Sequence, residues 1–321
     1  MRKTFIPLFL VFNFCFLING IAQQDPQFSQ NMFIKLPINP GYAGINGAIC
    51  ATAVYRTQWV GFPGAPKTIF FSADAPIQAL HGGVGLTVMN DQLGNLYNTW
   101  VRGAYSYHLS VGPEGKLGIG IDAGIYQTHF ADNWLAPDGT NGHNGSAQDN
   151  AIPAAGITKM TYDVGLGLYY RTNQLYVGIS ASHLPQQQLK AQDLDYTAAR
   201  HYYIMAGYDF FLSSALTLRP SVLVKSDASV TTFDANVNIL WNNMLWVGVS
   251  YRLQDAIVPM LGFAWSPNAK STLKIGYAYD LGTSDLKSYH SNTHEILLNY
   301  CIKITPKSKT QSHINPRFLK G

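Results

Sequence analysis

Lys116-Leu117-Gly118-Ile119-Gly120-Ile121-Asp122-Ala123-Gly124-Ile125-Tyr126-Gln127 alternates with a period of two. Leu117, Ile119, Ile121, Ala123 and Ile125 share one face, while Lys116, Gly118, Gly120, Asp122 and Gly124 share the other. Successive side chains of a strand point to opposite faces, so this stretch reads as a strand with one apolar side. The pattern recurs in 216–225, where Leu216, Leu218, Pro220, Val222 and Val224 oppose Thr217, Arg219, Ser221 and Lys225. It recurs again in 273–281, where Leu273, Ile275, Tyr277, Tyr279 and Leu281 oppose Lys274, Gly276, Ala278 and Asp280. In each case the charges keep to one side.

Working outward, fourteen such segments follow one another: 47–59, 66–76, 82–91, 97–109, 114–128, 160–172, 174–183, 200–212, 215–227, 229–241, 244–254, 256–266, 270–282 and 292–304. Composition says what meets their apolar faces. The chain is 47% hydrophobic and only 12% charged, about half the roughly 25% charged content of soluble domains. After Ile18 no apolar run approaches the ~18 to 20 residues of a transmembrane helix. A membrane chain without such helices satisfies its backbone only as a closed barrel, and an even strand count lets the two ends of a bacterial barrel meet. The sequence therefore predicts an all-β transmembrane antiparallel β-barrel of fourteen strands over 47–304, in a bacterial outer membrane. If the amino terminus is periplasmic, short connections such as Thr172-Asn173-Gln174, Ser213-Ser214, Asn242-Asn243 and Pro267-Asn268-Ala269 face the periplasm. The long ones, 129–159 and 184–199, then face outward, as such barrels require. The Gly-, Asn- and Asp-rich part of the first, Asp132 to Asn150, reads as a solvated outer loop. Trp59, Trp100, Trp134, Trp241, Trp246 and Trp265 suit interfacial girdles.

Residues 1–22 read as a secretory signal: Arg2 and Lys3, an apolar run from Phe5 to Ile18, then Gly20-Ile21-Ala22. The mature chain is expected to begin near Gln23. Removing Arg2 and Lys3 from the 22 basic residues leaves 20 against 18 acidic ones, a net +2, which gives no electrostatic case for nucleic acid. Residues 23–46 lack alternation and carry prolines that resist ladder pairing and the turn signal Asn39-Pro40-Gly41. They form either a plug for the lumen or a loose periplasmic lead. Residues 305–321 read as a basic periplasmic tail.

Closure makes a sharper prediction. The first and last strands must pair antiparallel, and facing residue numbers in such a pair have a constant sum. Setting Arg56 opposite Glu295 also sets Thr52 opposite Asn299 and Cys50 opposite Cys301. The expectation is a charge-assisted pair across the seam, with the two cysteines close enough to oxidise in the periplasm.

Three stretches resemble the PorP/SprF family of outer-membrane proteins of type IX secretion and gliding. One is Gln24-Asp25-Pro26-Gln27-Phe28-Ser29-Gln30 leading to Ile38-Asn39-Pro40-Gly41-Tyr42-Ala43-Gly44. The second is Tyr55-Arg56-Thr57-Gln58-Trp59-Val60-Gly61-Phe62-Pro63-Gly64-Ala65-Pro66-Lys67-Thr68. The third is Ile275-Gly276-Tyr277-Ala278-Tyr279-Asp280 with Thr293-His294-Glu295-Ile296 and the tail Asn315-Pro316-Arg317-Phe318. Two departures, Gly41 for a more usual Ala and Asn292 for a more usual Gly, leave the expected fold intact. The resemblance implies a barrel that serves export or surface attachment of a large adhesin or other secreted cargo, alongside periplasmic envelope-anchor proteins. On it, Asn39, Pro40, Tyr42, Gly44, Trp59 and His294 join Arg56, Glu295, Cys50 and Cys301 as structural or interaction candidates.

The rival readings are a small-solute porin of the same architecture, supported by lumen charges at Lys116, Asp122, Arg219, Lys225, Asp234, Arg252, Lys274, Asp280 and Glu295, and a barrel hydrolase. Ser180, Ser182, His183, His201 and Asp209 supply the residue types of a triad, but triads are defined by geometry and no motif fixes a nucleophile. The histidines lack metal-ligand spacing, and Cys50 and Cys301 make no zinc motif. No catalysis, metal or cofactor is expected.

Overall fold

The computed structural model describes residues 25–131, 156–191, 194–283 and 292–304. Its strands are β1 (Ala48–Thr57), β2 (Lys67–Ile77), β3 (Gly82–Leu93), β4 (Leu96–Val111), β5 (Gly115–Phe130), β6 (Ile157–Arg171), β7 (Leu175–Ser182), β8 (Gln188–Ala191), β9 (Leu194–Thr197), β10 (His201–Tyr208), β11 (Phe210–Phe211), β12 (Leu216–Ser226), β13 (Thr231–Trp241), β14 (Leu245–Arg252), β15 (Ala256–Trp265), β16 (Ser271–Gly282) and β17 (Thr293–Lys303). The hairpin of β8 and β9 is a separate two-stranded sheet. It lies within 184–199, which the sequence assigned to plain loop. Past Asp209, β11 continues the line of β10 along β12. Fourteen wall strands remain, each antiparallel to the next, and β1 pairs with β17 to close the ring. Among the described residues no helix is long and apolar enough to cross a membrane.

The alternation read from the sequence sets the two faces. Ile119, Ile121 and Ile125 on β5 and Ile296, Leu298 and Tyr300 on β17 lie 43–50% exposed on the outside, where lipid covers them. Their inward neighbours Asp122, Glu295 and Leu297 are buried. Pro259 lacks an N–H, and the β15–β16 ladder skips it, resuming at Met260 opposite Ala278.

At the seam the register sets Cys50 opposite Cys301, Thr52 opposite Asn299 and Arg56 opposite Glu295. Cys50 and Cys301 are joined by a disulfide. One end of the barrel carries the short turns 172–174, 242–244 and 266–270 and also the start of β1 and the end of β17; this is the periplasmic end by the rule of short periplasmic turns. The opposite end carries the short turns 94–95, 227–230 and 253–255, together with the end of β5, the start of β6, the end of β7, the start of β10, the end of β16 and the start of β17, which flank the three long connections.

Two tryptophans depart from the girdle expectation. Trp100 and Trp246 are 2% and 4% exposed, because their parity places them on the inward faces of β4 and β14, where Trp100 stacks on Tyr126. Trp241 and Trp265, of outward parity, are exposed near the periplasmic end. The signal, Gln23, Trp134, the loop from 132 to 150 and the tail at 305–321 lie outside the described residues.

Candidate functional site

Residues 25–46 run through the lumen from its outer half to the periplasmic mouth. They carry hydrophobic side chains without strand alternation, and the wall supplies three inward pockets for them. Phe28 and Ile34 pack with Val54, Phe70, Met89, Trp100 and Leu297; Met32 packs with Val258 and Met260; Ile38 and Ile45 pack with Tyr169, Tyr203 and Met205. Full burial of such a side chain contributes about 1.5–3 kcal/mol, so five of them can hold the segment in place. Cavities left around its outer half measure about 30 and 40 Å³, room for roughly one water each.

The turn motif explains how the segment lies flat against the wall. Asn39, fully buried, accepts from the Gly41 N–H at 2.9 Å and donates its amide to the carbonyls of Leu168 and Ile179 at 2.9 and 3.1 Å. Pro40 then starts a short 3₁₀ turn, Pro40–Tyr42. Gly41 rests on Gly118, whose carbonyl would sit 2.7 Å from any Cβ at position 41. Gly44 adopts φ +67° and its N–H donates to Asp74 at 3.0 Å. Only glycine accepts that backbone at no steric cost. Tyr42 packs edge-on against Tyr169 and bonds Asn46, which also bonds Arg171.

Higher up, the segment completes a charge network on the seam. Arg56 pairs with Glu295 at 3.1 Å and Asp280 at 2.8 Å. Asp280 also pairs with Arg252, which pairs with Asp234. Ser29 sits among them: its hydroxyl accepts from Arg56 at 2.7 Å and donates to Asp280 at 2.6 Å. The N–H groups of Ser29 and Gln30 donate to the two Glu295 oxygens at 2.7 and 2.8 Å, and Asn31 donates to Asp234. The lumen charges Asp122, Lys225, Asp234, Arg252, Asp280 and Glu295 are thus buried and bonded, while Lys116 is exposed at the mouth.

Asp25 anchors the outer end. Its carboxylate meets His183, just past β7, at 2.8 Å and accepts from the Tyr203 hydroxyl, while its N–H donates to His201 Nε2 at 3.2 Å. Burial alone would raise the Asp25 carboxyl, but the charges of His183 and His201 and the His183 hydrogen bond outweigh it and hold it well below the usual range. Burial depresses His183, yet Asp25 on one side and Asp163 on the other win and lift it to about 10. Asp25, His183 and His201 place one donor atom each within 4.8 Å of one another, a grouping of metal-ligand types that sequence spacing did not reveal. Asp25 Oδ1 and His183 Nε2 are bonded to each other, and His201 Nε2 accepts from the Asp25 N–H.

The residues singled out as a triad do not assemble. Ser182 donates to Asp25 at 3.5 Å, and Asp209, which follows β10 at the other end of the barrel, is paired with Arg219. Of the remaining candidates, Trp59 has φ +49° and its N–H donates to Thr293 across the seam, and His294 bonds the Tyr277 hydroxyl at 2.7 Å. The sequence did not single out the contacts of Asp25, Ser29, Gln30 and Asn31; the family-like stretch 24–30 was the available signal.

Solved barrels give distant similarities. The CymD monoaromatic hydrocarbon channel aligns at 10% identity and TM-score 0.48, with 89% of this chain and 95% of that chain covered. The outer-membrane protein Omp33 of Acinetobacter baumannii aligns at 8% and 0.39, covering 80% and 99%. A Pseudomonas aeruginosa FadL homologue aligns at 10% and 0.43, covering 80% and 89%. Likenesses at this level carry no functional argument. No curated protein matches the chain. The family model described as type IX secretion system membrane protein PorP/SprF matches residues 20–300.

Proposed function

Because the chain belongs to the PorP/SprF family of type IX secretion system membrane proteins, we propose that this outer-membrane barrel works as a sealed partner-binding scaffold. It supports export or surface attachment of a large adhesin-like cargo through protein contacts, without conducting solutes. The observation that carries this reading is the lumen filled by residues 25–46, with cavities of about 30 and 40 Å³ around its outer half. A small-solute porin needs a continuous aqueous path, and here that path is taken by side chains bonded to both sides of the seam. The network around Ser29 makes the segment part of the barrel's interior and not a detachable lid. Partners are then met at the two ends: cargo at the outer loops, and envelope-anchor proteins at the periplasmic mouth.

Two measurements test this. Affinity capture from the native envelope should recover a large secreted adhesin or a periplasmic anchor protein; recovery of lipid alone counts against the scaffold reading. The purified protein in planar bilayers should show no stable open state. A steady conductance of porin size would replace the scaffold by the porin.

A further inference from the structure

At the periplasmic mouth, below the filled part of the lumen, lies a cavity of about 360 Å³, within the range of ligand pockets. Six cations line it: Lys35, Arg171, Arg219, Lys270, Lys274 and Lys303. The one acid on its lining is Asp209, and both its oxygens are taken by Arg219. Among the described residues the other five cations have no carboxylate partner. Lys35 rests 3.3 Å from the centre of the Tyr176 ring and donates to the Tyr169 hydroxyl at 3.1 Å. Lys274 lies over Phe33. Around Arg56, Arg102 and Arg252 cations and carboxylates pair; here like charges crowd together, an arrangement that costs stability unless an anion from outside completes it.

The rest of the lining narrows the choice of anion. Met32, Phe33, Tyr42, Tyr169 and Tyr176 give an apolar and aromatic floor, and Asn46, Asn173, Gln174 and Asn299 place amides around it. Such a wall suits side-chain methylenes and peptide groups as well as carboxylates, whereas a lone phosphate would leave the floor unused. We propose that this cationic cavity is the docking site for an acidic peptide segment of a periplasmic partner. The inference rests on the partner-binding reading above and deepens it by giving the periplasmic contact a chemistry.

The test uses the purified, folded, full mature chain in non-ionic detergent at low salt, with a fluorescein-labelled hexaglutamate peptide as probe and hexalysine as control. Hexaglutamate should bind saturably and hexalysine should not. Lys274→Gln and Arg171→Gln should each weaken binding about tenfold, the scale of one lost charge-assisted contact. Both variants should keep the heat-modifiable band of a folded barrel, and Lys274→Gln should unfold at a higher temperature, since it relieves crowding. Affinity unchanged in both variants, or hexaglutamate no tighter than inorganic phosphate, would overturn the proposal. Failure here with successful capture of partners from the envelope removes only this docking site. Failure of capture with tight peptide binding removes the scaffold reading instead.

Discussion

Arg56 and Glu295 face each other across the strand pair that closes the barrel, and both Glu295 oxygens also accept N–H groups from Ser29 and Gln30. The pair joins three parts of the chain: the first wall strand, the last, and the segment inside. Removing the cation leaves two buried carboxylates, Glu295 and Asp280, with the latter still holding Arg252. Breaking one partner of a buried pair costs about 3–5 kcal/mol. Arg56→Met should therefore lower the urea midpoint for loss of the heat-modifiable band by a corresponding amount, more than Glu295→Gln, which keeps an acceptor for the N–H groups. Equal midpoints for the two variants would refute this account of the seam.

The Cys50–Cys301 disulfide ties residues 251 apart in sequence. Constraining so long a loop in the unfolded chain is worth about 2–5 kcal/mol in the chain-entropy picture. Cys50→Ser should shift thermal unfolding downward, and the denatured wild-type chain should run faster on gels without reductant than with it. Free alkylation of both thiols in the denatured, unreduced protein would rule the bridge out.

The outer anchor should respond to alkaline pH. His183 binds its proton more tightly in the folded state, with its value lifted from 6.5 to about 10, so it contributes stability that is complete below pH 6.5 and is lost as pH rises through 10. Asp25 is shifted the other way, and its contribution fades only in acid. Protease cleavage ahead of Phe28 should rise between pH 7 and pH 10, and His183→Gln should flatten that rise. Identical cleavage at the two pH values would show that His183 does not hold the segment.

Gly44 offers a way to unseat the inner end. A side chain there meets the Ala75 carbonyl at 2.6 Å and a backbone at φ +67°, and such strain costs of order 1–3 kcal/mol. Gly44→Val should loosen the segment near Asp74 and produce intermittent conductance in bilayers where the wild type stays closed. A silent variant with normal protease resistance would mean that the packing of Phe28, Met32, Ile34 and Ile38 suffices without this contact.

The wall was legible because its rules are local. Alternation fixes which residues face lipid, antiparallel pairing fixes a constant sum, and the polar residues of two strands fix which sum; Arg56 and Glu295 could be paired from their numbers alone. The interior was not legible in the same way. Ser29, Gln30 and Asn39 bond partners more than a hundred positions away, and no periodicity records such contacts. The choice between a loose lead and a plug therefore stayed open. Trp100 and Trp246 suit a girdle by residue type, but their parity on β4 and β14 turns them inward. The β8–β9 hairpin has strands of four residues, too short for alternation to stand out.

The course of residues 25–46 has a mechanical consequence. Asp25 is fastened beside His183 toward the outer end, and the Gly47 carbonyl accepts from Ile304 where β1 begins at the opposite end. One covalent strand of chain thus crosses the envelope's outer layer inside its own wall. A displacement of the outer anchor would reach the inner mouth through this run of short hydrogen-bonded turns and its packed side chains, without any strand of the wall having to slide.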